Sequence, residues 1–162
     1  MPAGNTFEAI ATQTLGSAAA SVTFSSIPST YTDLVLIIVG NAGGSTASTM
    51  RFNSDSSSLY SETLVQGDGS SAASYRSSNI TNNWGGSFYN TSTPTVARHN
   101  IMNYANTNTF KTTISRVDYA AGFTAAAVQL YRSTSAITSI TLATGANFST
   151  GTTFSLYGIA AA

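Results

Sequence analysis

Charge is scarce in this chain. Asp, Glu, Lys and Arg make up only 7% of its 162 residues, against about 25% in an ordinary soluble domain. Six basic and six acidic side chains cancel to a net charge of zero. Little repulsion keeps copies apart, and few titratable groups remain from which to build acid–base chemistry. Cysteine is absent, so no disulfide and no thiolate metal site can form. The longest apolar run, Leu34 to Val39, is too short to cross a bilayer, and no membrane partner is expected. The six basic residues are scattered, which disfavours nucleic acid as a partner, since phosphate recognition needs clustered Lys and Arg. The start, Met1-Pro2-Ala3-Gly4-Asn5-Thr6-Phe7-Glu8, lacks the basic and apolar regions of a signal peptide. It predicts a protein made in the cytosol and not exported by the secretory route.

Ser and Thr fill the space that charge leaves, at about three residues in ten. Disorder is not implied, because 42% of the chain is hydrophobic, with eight Tyr and eight Phe, and disordered chains lack such residues. The length fits one domain.

The local patterns favour strands. Val22 and Phe24 alternate with hydroxyl residues, and Ile27-Pro28-Ser29-Thr30 then turns the chain. Asp33 to Val39 is a continuous apolar strand, expected mid-sheet with both faces covered, and Gly40 to Gly44 ends it. Met50 and Phe52 alternate with Arg51 and Asn53. Leu59 to Gln66 reads as a strand or a single helical turn. Gly67 to Ser71 is a loop, and from there to Pro94 the chain reads as long, polar and irregular, the kind of stretch that carries function. Alternation resumes over 96–104, 110–120, 125–132, 137–143 and 152–159, with a turn region at Gly145 to Gly151. Eight or nine short strands about ten residues apart, with no helical period, predict an all-β fold. The length suits a jelly-roll-like antiparallel β-sandwich in a single domain, with 7–162 as the sandwich and 1–6 as a flexible N-terminal arm.

Candidate chemistry is thin. His99 is the only histidine, and no Gly-x-Ser-x-Gly elbow accompanies it. A lone strand histidine reads as one satisfied by a neighbour or by solvent. Asn53, Asp55 and Ser57 space like the start of a calcium loop, but Ser58 and Leu64 stand where the loop needs Gly and Glu. An Asx turn, in which the side chain bonds its own backbone, explains them and Asp68 better. Asp118 and Arg116 share a strand face two residues apart, which predicts a local ion pair. Accordingly no catalytic residue, no metal and no cofactor is expected, and the chain is not read as an enzyme. The binding candidates are Tyr75, Arg76, Trp84, Phe88 and Tyr89, because aromatic and Arg side chains are the usual anchors of interfaces. The same residues serve equally as rings capping the core beneath a loop.

Several stretches carry a family resemblance: Ile27-Pro28-Ser29-Thr30-Tyr31-Thr32-Asp33-Leu34, Arg51-Phe52-Asn53-Ser54-Asp55, Asn100 to Thr107, Leu130 to Ile140 and Gly151 to Ile159. In this order the chain resembles small β-rich virion proteins of tailed bacteriophages, including cyanophages: capsid decoration (cement) proteins and related tail-fibre domains. The resemblance implies a β-sandwich virion component assembled in the host cytoplasm, and it carries over no catalytic residue. The expected role is a decoration protein that binds and stabilises the outside of a phage head. Its expected partners are the major capsid protein or other virion proteins, and further copies of itself as a dimer or trimer. The alternative is a tail-fibre or receptor-binding domain that recognises host surface carbohydrate.

Overall fold

The computed structural model describes residues 6–89, 92–119 and 122–160. Residues 1–5 of the expected arm lie outside the described residues. Twelve strands follow one another: β1 (Phe7–Thr14), β2 (Ala19–Phe24), β3 (Asp33–Gly40), β4 (Thr46–Phe52), β5 (Tyr60–Gly67), β6 (Ala72–Ile80), β7 (Asn83–Phe88), β8 (Thr95–Met102), β9 (Lys111–Tyr119), β10 (Phe123–Tyr131), β11 (Ile140–Phe148) and β12 (Thr153–Ile159). They form an eight-stranded sheet in the order β1-β12-β3-β8-β9-β10-β5-β6 and a four-stranded sheet in the order β2-β11-β4-β7. Every strand pair is antiparallel.

The pairings are nested. β4 pairs with β7, β3 with β8, β2 with β11 and β1 with β12. Half of the large sheet, β1-β12-β3-β8, faces a small sheet in the order β2-β11-β4-β7. This is the jelly-roll plan, a long hairpin rolled into two sheets. Two further hairpins interrupt it, β5-β6 between β4 and β7 and β9-β10 between β8 and β11. They extend the large sheet beyond β8 and join each other where β10 pairs with β5.

The core lies between the sheets. Leu34, Leu36, Ile38, Ile101, Phe154 and Leu156 of the large sheet are fully buried, as are Met50, Phe52, Phe88, Ile140, Leu142 and Phe148 of the small one. Alternation decides which side chains enter it, since neighbours along a strand point to opposite faces. On β9, Lys111, Thr113, Ser115 and Val117 are buried, and Ile114, Arg116 and Asp118 are exposed. A smaller cluster, Leu64, Ala125 and Ala127 with Trp84 and Phe123, fills the space beneath β5 and β10.

The span from 67 to 94 departs from the expected long loop, because it contains β6 and β7. β7 carries Gly85 and Gly86, so part of its pleat has no side chain. These glycines are what the packing requires. Gly86 has φ +112, and a Cβ there would lie 3.2 Å from Cβ of Ala97 on β8. A Cβ on Gly85 would come within 2.7 Å of Ser48 Oγ. Of the turn region read at Gly145 to Gly151, residues 145–148 belong to β11, whose pairing with β2 shifts between Ala143 and Phe148, and the turn follows between β11 and β12. β3 is not covered on both faces along its whole length, for Val39 at its far end is 40% exposed.

Candidate functional site

Two places concentrate chemistry. One is a buried polar chain between the sheets, and the other is the outward face of the large sheet.

The buried chain starts at His99 on β8, which has no solvent exposure. His99 Nδ1 lies 2.7 Å from Ser115 Oγ, Ser115 Oγ lies 2.8 Å from Gln129 Oε1, and Gln129 Nε2 lies 2.7 Å from the Trp84 carbonyl and 3.2 Å from Glu62 Oε2. The Trp84 amide donates to the same Glu62 oxygen at 2.8 Å. Counting donors fixes the proton positions. Gln129 Nε2 faces two acceptors, so its oxygen faces Ser115. The Ser115 proton goes to that oxygen, and Ser115 therefore accepts from His99 Nδ1–H. Nε2 is left without a proton and without a hydrogen-bond partner. Burial is the main force on His99 and lowers its pKa to about 4, with the backbone of Gly85 partly opposing the shift. A hydrolytic Ser–His pair needs the serine proton aimed at the imidazole. Here it is aimed at Gln129, and both residues are buried. His99 is thus a strand histidine satisfied by a neighbour through one nitrogen.

The other candidate groups resolve into local structure. Asp55 Oδ1 accepts from the Ser57 amide at 2.8 Å, and Oδ2 accepts from Tyr131 Oη at 2.7 Å. The Ser57 hydroxyl, first among the causes, holds the Asp55 carboxyl below the usual carboxylate range. Asp68 Oδ1 accepts from the amides of Ser70 and Ser71. Both are Asx turns. Among the described residues no group of three or more His, Cys, Asp or Glu is placed to hold a metal. Lys111 is a feature that no motif announced. The residue is 1% exposed, and its ammonium donates to the carbonyls of Asn106, Thr109, Ser133 and Thr134 at 2.5 to 3.5 Å. It ties two loops together at one end of the sandwich.

The five binding candidates do not form one site. Phe88 is fully buried and packs edge-on to Phe148, so it belongs to the core and offers no surface. Trp84 is half-buried against both core clusters, and its backbone is held by Glu62 and Gln129. Tyr89, just after β7, stacks on Tyr119 with ring centroids 4.3 Å apart. Tyr75 is 57% exposed on the edge strand β6. Arg76 follows it on the same strand and therefore points to the opposite face.

The outward face of the large sheet holds residues that sequence reasoning missed. Val39, Val65, Val96, Ile114 and Val128 are 40 to 57% exposed there, on five different strands. The pairing register sets the face in rows. Val39, Val96, Asp118, Thr124 and Gly67 form one row across β3-β8-β9-β10-β5, and Ile37, Arg98, Arg116, Ala126 and Val65 form the next. These rows floor a groove of about 840 Å³. Arg98 and Arg116 stand directly opposite each other, an unfavourable placement for like charges. Arg98 donates to Asn100 Oδ1 at 3.0 Å. The expected ion pair between Arg116 and Asp118 is not formed, although both side chains are exposed on the same face of β9. The signal was present in Val96-Ala97-Arg98 and Ile114-Ser115-Arg116, where branched aliphatic residues fall on the polar side of the alternation.

Comparison with known protein families, with curated proteins and with solved structures finds no match. The functional reading therefore rests on the residues and their geometry.

Proposed function

We propose that this chain is a structural virion protein, a decoration (cement) protein that binds the outer surface of a tailed-phage head and stabilises it. The observation that carries the reading is the outward face of the large sheet: five branched aliphatic side chains exposed together on a sandwich that is otherwise rich in hydroxyls. Contiguous exposed apolar surface marks interaction sites on soluble proteins. The face also carries Arg98, Arg116 and Asp118, charges that a complementary partner would pair. The resemblance of Ile27 to Leu34, Asn100 to Thr107 and Gly151 to Ile159 to phage virion proteins supplies the setting.

The mechanism is adhesion. A protein that binds the assembled shell, and not its dissociated subunits, stabilises the shell by mass action. No catalytic step and no cofactor enters this reading. The test is to add the purified protein to purified heads lacking it. Saturable binding with a rise in the temperature at which heads release their contents is expected. Heads that neither bind the protein nor gain heat resistance would overturn the proposal.

A further inference from the structure

We infer that the outward face of the large sheet is covered by a second copy of this chain, related by a two-fold axis that lies along the sheet face and crosses β9 at right angles beside Val117. The inference names the occupant of the face on which the proposed function rests: a second copy covers it, so the dimer meets the head through its other surfaces, and the inference rests on that reading only for its biological setting.

Charges on this face are left without opposite partners. Arg116 and Asp118 are both exposed on β9, and among the described residues neither forms an ion pair or a hydrogen bond. Arg98 faces Arg116 across the ladder with only a neutral amide as partner. A stable surface seldom sets two guanidiniums together with no anion between them. The missing anion is available on the same strand, two residues along, in the form of Asp118.

The two-fold operation brings it into place. Turning a second copy over about an axis perpendicular to β9 reverses the strands and exchanges the two rows. The row containing Val96 and Asp118 of one copy then faces the row containing Arg98 and Arg116 of the other. The partner's Asp118 sits above Arg116 and is offset sideways from Arg98 by one strand spacing, about 4.8 Å, which places one carboxylate between two guanidiniums. Symmetry repeats the arrangement, as an isologous interface requires. The neighbouring positions follow in the same operation: Val39 meets Ile37, Thr124 meets Ala126, Gly67 meets the bulkier Val65, and Val96 lies over the aliphatic stem of Arg98. An axis parallel to β9 would instead place Arg116 on Arg116, so the charges select one of the two orientations. The chain's zero net charge adds no long-range repulsion between the copies.

Sedimentation velocity of the full chain over a concentration series tests the interface. The wild-type chain is expected to be a dimer in equilibrium with monomer. Asp118→Arg and Arg116→Asp should each weaken the dimer by roughly 30-fold or more, as expected when one member of a buried charge pair becomes repulsive. The double variant Arg116→Asp/Asp118→Arg restores an alternating arrangement and should dimerise again. Both positions are on the solvent face, and circular dichroism checks that each variant folds. A wild-type chain that is monomeric or trimeric, single variants that dimerise unchanged, or a double variant that stays monomeric would each overturn the inference. Binding to heads is measured separately on the same variants. A wild-type monomer that still binds heads would remove this interface and leave the proposed function intact.

Discussion

At the scale of single residues, two buried polar groups govern stability. Lys111 gathers four loop carbonyls around one ammonium, and burial holds its pKa below the ordinary lysine value. Replacing it with methionine keeps the volume and leaves the carbonyls without their donor. Lys111→Met should lower unfolding free energy by about 2 to 3 kcal/mol in urea titrations, since unpaired buried polar groups cost that much. His99 makes stability depend on pH. Its folded pKa is about 4, below the unfolded value of 6.5. The unfolded chain therefore takes up a proton first as pH falls. Stability from this group is full above pH 6.5 and declines down to about pH 4, by roughly 3 kcal/mol in total. The Asp55 and Asp68 carboxyls are both held below 3.8, so their contribution is lost only at lower pH. His99→Gln should flatten the decline between pH 6.5 and 4 and leave the loss below it; an unchanged slope in that variant would contradict the assignment.

Among the elements, legibility in the sequence follows burial. β8, β9 and β10 each bury one face, so their alternation is plain in the amino-acid order alone. β1 and β6 are edge strands with no residue of the buried class on either face, and an element without a buried side carries no hydrophobic period. β7 escapes notice because Gly85 and Gly86 fill positions where alternation would show. The same edge strands should be the first to open. Amide hydrogen exchange is expected to be fastest in β1 and β6 and slowest in β3 and β8, which lie inside the large sheet and flank the core. Gly158 marks another constraint set by packing. Its missing Cβ leaves room for the ring of Tyr31, which would lie 2.2 Å away, and Tyr31 Oη reaches Glu8 on β1 at 3.0 Å. Gly158→Ala should displace Tyr31 and cost about 1 to 3 kcal/mol, as overpacking generally does, with faster exchange in β1 as its local signature.

For the whole molecule, the low charge acquires a place. The charges that matter most are the half-buried Arg98 and the exposed Arg116 and Asp118, set among valines on one sheet face. The sequence carries that face in plain view, yet reading it requires the register. Arg98 and Arg116 are eighteen residues apart in the chain, and only the β8–β9 ladder makes them neighbours. The aromatic residues from Tyr75 to Tyr89 look more like a site because they are close in sequence, and the fold disperses them over an edge strand, the core and a stacked pair. Proximity along the chain is the wrong guide, and proximity across strands the right one. The jelly-roll plan with two inserted hairpins widens one sheet into a platform, and a platform with exposed valines suits a protein whose work is contact. Cryo-electron microscopy of purified phage particles that carry this protein tests that account most directly. The account predicts density for the sandwich on the outer surface of the head. Density for it on the tail alone, with the head surface bare, would contradict it.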